Sequence, residues 1–353
     1  MRTAIGAGGA ASGGKRDFER AVDFVVEAEK LGVDQVWTAE AWGFDAVSTA
    51  AYLAARTARI AIGTGIMQVS ARAPSMTAMT AMSLASLSGG RFVLGLGASG
   101  PQVVEGLQGE SFRRPVTRLR EAIEIVRMAF RGEKLVYRGE HYRLPRPGGE
   151  GKALRLAQPP DPGIPIYLAT LSPRGLELTG EVADGWLGTS FTPEHAEAHL
   201  AHLRCGARKA GRELAEIALC VGGPLAVTDD PELLIRAAKP RLAFTLGAMG
   251  SARTNFYNAA YRRGGFEDAA CEVQQLWLAG KREEAARAVP DAMVERSCLL
   301  GPEAHVRERI RRYRDAGVGV LRLEPLGETA AERLDTLGRA VEWVREESRP
   351  PGS

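Results

Sequence analysis

Short apolar runs alternate with longer amphipathic stretches along nearly the whole chain. Thr3–Gly6 predicts a strand, and Asp17–Leu31 an amphipathic helix that stops at Gly32. Asp34–Thr38 (DQVWT) reads as a second strand, followed by a helix over Asp45–Thr57. Arg59–Gly65 (RIAIGTG) is the third, and its helix, Pro74–Leu87, ends at Gly89-Gly90. Phe92–Leu96 is the fourth, with a helix over Leu119–Phe130. Pro165–Ala169, Gly185–Gly188, Ile217–Val227 and Val320–Leu323 (VLRL) supply four more strands, with helices following Pro173, Pro193 and Thr329. Strands that read as unbroken apolar runs and alternate with helices indicate a parallel sheet covered on its faces. An open doubly wound sheet fits the same pattern, but eight such units in 353 residues favour an α/β closed barrel, the TIM (β/α)8 architecture.

Two segments depart from the repeat. Glu133–Gly163 is rich in Pro and Gly and predicts a hairpin within KLVYRGEHYRLP plus a loop. Pro231–Pro290 reads as several helices, with LWLAGKREEAARAV a helix–turn–helix. Long insertions in a barrel commonly leave from the C-terminal face and cap the site. No linker separates a second unit, so residues 1–353 are expected to form one barrel domain with insertions at about 133–163 and 231–290.

The stretch Arg91–Gly109, RFVLGLGASGPQVVEGLQG, carries the most functional information. Its apolar run breaks into Gly95, Gly97 and Gly100, where a ligand can approach the main chain without meeting a Cβ. Pro101 then suits the first turn of a helix whose N–H groups face outward. The glycines satisfy G-x-G-x-x-G, but the dinucleotide fingerprint opens a fold and is followed by an acidic strand end. Here strand–helix units lie upstream and LREAIEIVRMAF lies downstream, so the Rossmann reading fails.

Composition narrows the classes. A formal charge of +3 argues against a nucleic-acid partner, and no apolar run is long enough to span a bilayer. The N-terminus has no apolar segment before a cleavage site, and Cys205, Cys220, Cys271 and Cys298 are scattered singly; both features suggest a cytoplasmic protein with reduced thiols. His195, His199 and His202 would share one helix face, as a metal site or as the exposed side of an outer helix; the latter reading needs no metal. Neither H-E-x-x-H nor G-x-S-x-G occurs.

In a barrel the chemistry sits just past the C-terminal end of each strand. Those positions hold Glu40, Ala41, Trp42 and Asp45; then Gly65, Ile66 and Gln68; then Gly97, Ala98, Ser99, Gly100 and Gln102; then Ala169, Thr170, Leu171, Ser172 and Arg174. Glu40 is either functional or a solvated charge, Trp42 a wall of the mouth or a catalytic group, and Asp45 a helix cap or an acid. Ser172-Pro173-Arg174 starts a helix well and also makes an anion site. Donors, small residues and aromatics outnumber acid–base groups, which suits a large planar cofactor better than hydrolysis.

Taken together, VWTAEAWGFDAV, IAIGTGIMQVSARAPSMTAM, GGRFVLGLGASGPQVVEGLQG and IPIYLATLSPRGLELTGEVADGW resemble the luciferase-like monooxygenase superfamily. The likeness is greatest to its coenzyme F420-dependent branch, which includes methylenetetrahydromethanopterin reductase. The resemblance implies a barrel, often homodimeric, that binds the deazaflavin at its C-terminal face. It places a non-proline cis peptide at Gly65-Ile66 behind the ring and the ring-edge acid at Glu40. With that coenzyme in view, the strand-end residues Gly97, Ala98, Ser99, Gly100, Gln102, Ala169, Thr170, Leu171, Ser172 and Arg174 are candidates to hold its ring and phosphate. Arg253 is a further anion candidate. Ala41 stands where related sugar-phosphate and alcohol dehydrogenases carry histidine, and Gly100-Pro101 where they carry glutamate, so their base-assisted oxidation lacks its base here. The expected activity is F420-dependent hydride transfer with a small organic substrate, with Glu40 and Trp42 as catalytic candidates. FMN-dependent monooxygenation and non-catalytic coenzyme binding are the alternatives.

Overall fold

The computed structural model describes residues 1–7, 14–251 and 254–349. Its eight barrel strands are β1 (Arg2–Gly6), β2 (Gln35–Thr38), β3 (Ala61–Thr64), β4 (Phe92–Gly97), β5 (Ile166–Ala169), β6 (Gly185–Leu187), β7 (Ala218–Val227) and β8 (Val320–Pro325). All neighbours are parallel, and pairing of β8 with β1 closes the ring. The barrel helices are α1 (Lys15–Lys30), α2 (Ala46–Arg56), α3 (Pro74–Leu87), α4 (Pro115–Phe130), α5 (Pro173–Val182), α6 (Glu197–Lys209), α7 (Glu303–Asp315) and α8 (Ala330–Glu347). The closed barrel matches the architecture read from the pattern of apolar runs. Two elements escaped that reading: α7, and a three-residue strand Leu299–Gly301 that pairs with the far end of β7 outside the ring.

The lumen explains the shape of the mouth. Ala4, Trp37, Val93, Tyr167, Leu187, Cys220 and Val320 form one buried layer inside the ring. On β3 the corresponding space belongs to Gly63, because the Trp37 ring lies where its Cβ would stand. Side chains in a strand return to the same face every second residue. The next layer toward the C-terminal end therefore holds Gly6, Gly95, Ala169, Gly222 and Arg322. Apart from the arginine, these positions carry at most a methyl group, and at Gly95 and Gly222 the main chain of the neighbouring strand takes the place of a Cβ, so side-chain bulk falls off sharply above the Trp37–Tyr167 layer.

The two inserted segments behave differently. Residues 133–163 follow a helix rather than a strand, so they leave from the N-terminal side and do not start at the mouth, contrary to the expectation for barrel insertions. Their hairpin, Tyr137–Arg138 paired with Arg143–Leu144, lies along α4, where Glu121 accepts hydrogen bonds from the N–H groups of Glu140, His141 and Tyr142 at 2.7, 2.9 and 3.0 Å. Residues 231–290 follow β7 and do sit over the C-terminal face. They form helices at Glu232–Ala248, Phe256–Tyr261, Glu267–Leu278 and Arg282–Arg287, around their own apolar cluster.

Gly95 marks the tightest point of the ring. A Cβ there would stand 1.7 Å from the carbonyl oxygen of Thr64, whose hydroxyl bonds both the N–H and the C=O of Gly95 at 2.9 Å. Gly95→Ala must push β3 and β4 apart and should cost about 1–3 kcal/mol or more. Gly6→Ala, where no described atom lies within 4 Å of the new methyl, should stay within about 0.5 kcal/mol. Thermal unfolding of the pair checks this; wild-type stability of Gly95→Ala would contradict it.

Candidate active site

Glu40 organises one side of the mouth. Its carboxylate is 10% exposed and receives donors from several directions. Arg72 binds it with both terminal nitrogens, Nη1–Oε1 at 2.6 Å and Nη2–Oε2 at 3.0 Å. The N–H groups of Gln68 and Ala46 donate to the same two oxygens at 3.0 and 3.2 Å. Each oxygen thus accepts one charged and one backbone donor, which leaves little capacity for a further partner. Asp45 acts as the N-cap of α2, accepting from the Ser48 N–H at 2.8 Å. Burial opposes its ionisation, yet the Ser48 donors hold its carboxyl below the ordinary value.

After β3 the chain bulges. The Gly65–Ile66 peptide is cis, as the resemblance implied. The bulge uses its backbone groups: Gly65 N–H donates to the Thr38 carbonyl at 2.5 Å, and the Ile66 carbonyl accepts from Glu40 N–H at 3.2 Å. Met67–Gln68 then pairs with Leu96–Gly97, and Val69 N–H reaches the Gly97 carbonyl at 3.0 Å. The Gln68 side chain donates to the Glu40 carbonyl at 3.0 Å and accepts from Gln108, whose own carbonyl accepts from the Ser70 hydroxyl at 2.7 Å. A chain of amides thereby joins the β2 loop, the bulge and the end of the glycine-rich loop.

The glycine-rich loop holds its expected place above β4. Ser99 adopts a left-handed backbone with φ of +58°, costly for a residue with a Cβ and a feature that marks tightly determined loops. Gly97 is covered by the Ile66 side chain, whose Cδ1 lies 2.5 Å from where a Cβ would stand. The helix opened by Pro101 is a single turn, Pro101–Val104. Gln102 instead donates to the Gly250 carbonyl, tying the loop to the inserted helices.

Past β5, the hydroxyls of Thr170 and Thr179 bond at 2.7 Å, and the Thr170 carbonyl accepts from the Trp186 indole at 2.9 Å. Ser172 caps α5 by accepting from Gly175 N–H at 3.1 Å, while Arg174 is exposed. Ala169 and Leu171 are half-buried; the Leu171 carbonyl accepts from Arg263 of the insertion at 2.6 Å. Trp42 is 62% exposed at the rim. Arg253 lies outside the described residues.

The histidine reading is corrected. His199 is buried between Trp186 and Phe191 with neither ring nitrogen bonded, and burial pushes its pKa down to about 4. His195 lies in the turn before α6, near Arg296, so the three do not share an exposed face. Among the described residues, no three His, Cys, Asp or Glu side chains gather as a metal site. Arg72, Gln108, Arg263 and Arg322 were not singled out from the sequence. For Arg322 a signal existed: an arginine inside an otherwise apolar strand.

The Glu40–Arg72 pair is nearly out of solvent, so each partner is costly without the other. In a double-mutant cycle of Glu40→Gln and Arg72→Met, the coupling should be about 1 kcal/mol or more by denaturant unfolding. Additive losses would show that the pair is incidental.

The sequence model of the luciferase-like monooxygenase family matches residues 2–319. A Mycobacterium tuberculosis protein named as a coenzyme F420-dependent oxidoreductase is 40% identical over 307 residues, which are 85% of this chain and 88% of that one. The 5,10-methylenetetrahydromethanopterin reductase of Methanolobus tindarius is 29% identical over 319 residues, 89% of this chain and 93% of that one. The coenzyme F420-dependent tetrahydromethanopterin reductase structure from Methanopyrus kandleri matches with a TM-score of 0.78 at 22% identity, covering 97% of this chain and 98% of that one. At that identity the likeness speaks for the fold alone. With the family's sequence model spanning most of its length, and a barrel built to the same plan, this chain belongs to the luciferase-like monooxygenase family.

Proposed function

We propose that the chain is a coenzyme F420-dependent oxidoreductase that transfers a hydride between the coenzyme and a small organic substrate. The observation that carries the reading is the change from large to small residues at the C-terminal end of the barrel. Glycine and alanine line the mouth there, Trp37 and Tyr167 close it below at 5.4 Å between ring centroids, and the Gly65–Ile66 bulge walls one side. The choice of coenzyme follows the relative at 40% identity over 85% of the chain.

Coenzyme F420, when bound, supplies two-electron hydride chemistry at carbon 5 of its ring. The chain's residues supply position and exclusion of water. Gly65 and Ile66 back the ring, and Gly97, Ala98, Ser99, Gly100 and Gln102 border it from β4. Ala169, Thr170, Leu171, Ser172 and Arg174 face the coenzyme's anionic tail from the β5 loop. Glu40 acts through the bulge: its oxygens are engaged by Arg72, Gln68 and Ala46, so it positions the wall rather than delivering a proton. Trp42 shields the rim. A homodimer in the cytoplasm belongs to the same proposal and rests on the family resemblance.

Fluorescence titration of the purified protein tests the reading. Coenzyme F420 should bind at micromolar concentration or below, and FMN much more weakly. Tighter binding of FMN, with oxygen consumed when it is reduced, would overturn the proposal in favour of a monooxygenase.

A further inference from the structure

The mouth has two unlike halves. The bulge and the glycine-rich loop occupy the β3–β5 side, where the coenzyme is proposed to lie. Across the ring, β7 stands opposite β3, and β8 is next to it. On β8, Arg322 and Glu324 follow Val320 at intervals of two and so face the lumen, in register with Gly222 and Pro224 of β7. Gly222 lets the two strands approach closely, since a Cβ there would stand 2.0 Å from the Arg322 carbonyl.

Arg322 is a cation facing the lumen, with Glu324 the next inward residue on the same strand. Its Nε is shut off from solvent and faces Glu324 Oε1 at 3.2 Å. Among the described residues, no acceptor takes a hydrogen bond from its two terminal nitrogens. Those nitrogens form the end-on pair that binds a carboxylate in two parallel bonds. Arg241, on the first inserted helix, stands 4.0 Å from the other oxygen of Glu324. Two guanidiniums against one carboxylate leave the group with a surplus positive charge. From the inserted helices, half-buried Tyr257 comes close enough to feel the Arg322 charge, as does Cys220 from the lumen floor.

We infer that Arg322 is the substrate anchor of this mouth and that the substrate carries a carboxylate, held end-on by the terminal nitrogens. The inference rests on the oxidoreductase reading for what happens to the substrate, but not for its binding. A substrate anchored on β8 lies across the mouth from the bulge that backs the coenzyme. No proton transfer is assigned to Arg322.

Benzoate and benzamide separate charge from shape, since both present a planar ring and differ in the anionic group. Calorimetric titration of each into the full chain, with and without coenzyme F420, is the test. Benzoate should bind wild type saturably and more tightly than benzamide. Arg322→Met should weaken benzoate by about tenfold or more, the range of a charge-assisted hydrogen bond. Benzamide affinity and coenzyme affinity should not change, which also shows that the variant is folded. Glu324→Gln should leave benzoate bound as tightly or more tightly. Equal benzoate affinity in wild type and Arg322→Met would overturn the inference, as would no saturable benzoate binding or equal losses for both probes. Failure to bind coenzyme F420 with benzoate binding intact would sink the coenzyme reading and leave the anchor standing.

Discussion

The carboxylate of Glu40 is the point on which the mouth depends. It gathers two guanidinium nitrogens and two backbone N–H groups from residues that the chain separates widely, Ala46 at the start of α2, Gln68 after the bulge and Arg72 before α3. A buried carboxylate is stable only when its lone pairs are filled, and here filling them fixes the path of the backbone between β3 and α3. The bulge that walls the mouth is therefore held from outside, by a charge that does not need to touch a ligand. The amide chain through Gln68 and Gln108 extends the same hold to the glycine-rich loop.

A second constraint is the order of sizes along the lumen. Trp37 and Tyr167 fill one layer, and the strands then offer almost nothing in the next. Because a strand places every second residue inward, this change from large to small is completed within two residues, at one depth of the barrel. The same rule that gives β4 and β5 a glycine and an alanine there gives β8 an arginine, so the exception stands out against a bland surface. The inserted helices complete the site by closing over it: Arg263 and the Gly250 carbonyl reach the β5 and β4 loops.

Much of this was legible in the sequence. Strands buried on both faces appear as apolar runs, which is why the eight barrel strands could be counted. Leu299–Gly301 was missed because three residues against the outer end of β7 leave no pattern. The glycine-rich loop was legible from its glycines, but the helix after it shrank to one turn, since Gly106 and Gly109 leave little to continue it. The Glu40–Arg72 pair spans 32 residues, and nothing local announces it. The cis bulge was foreseen only through the resemblance, because no periodicity marks such a peptide. The exposed reading of His199 failed because its ring packs as an aromatic beside Trp186.

The proposed arrangement has a planar deazaflavin in the barrel mouth, backed by the bulge that Glu40 holds, with β8 left to the substrate. A crystal structure of the protein with coenzyme F420 bound tests it most directly. The account predicts ring density against Gly65–Ile66, with the tail running toward Ser172 and the terminal nitrogens of Arg322 free of the coenzyme. A ring lying against β8, or bound outside the barrel mouth, would contradict it.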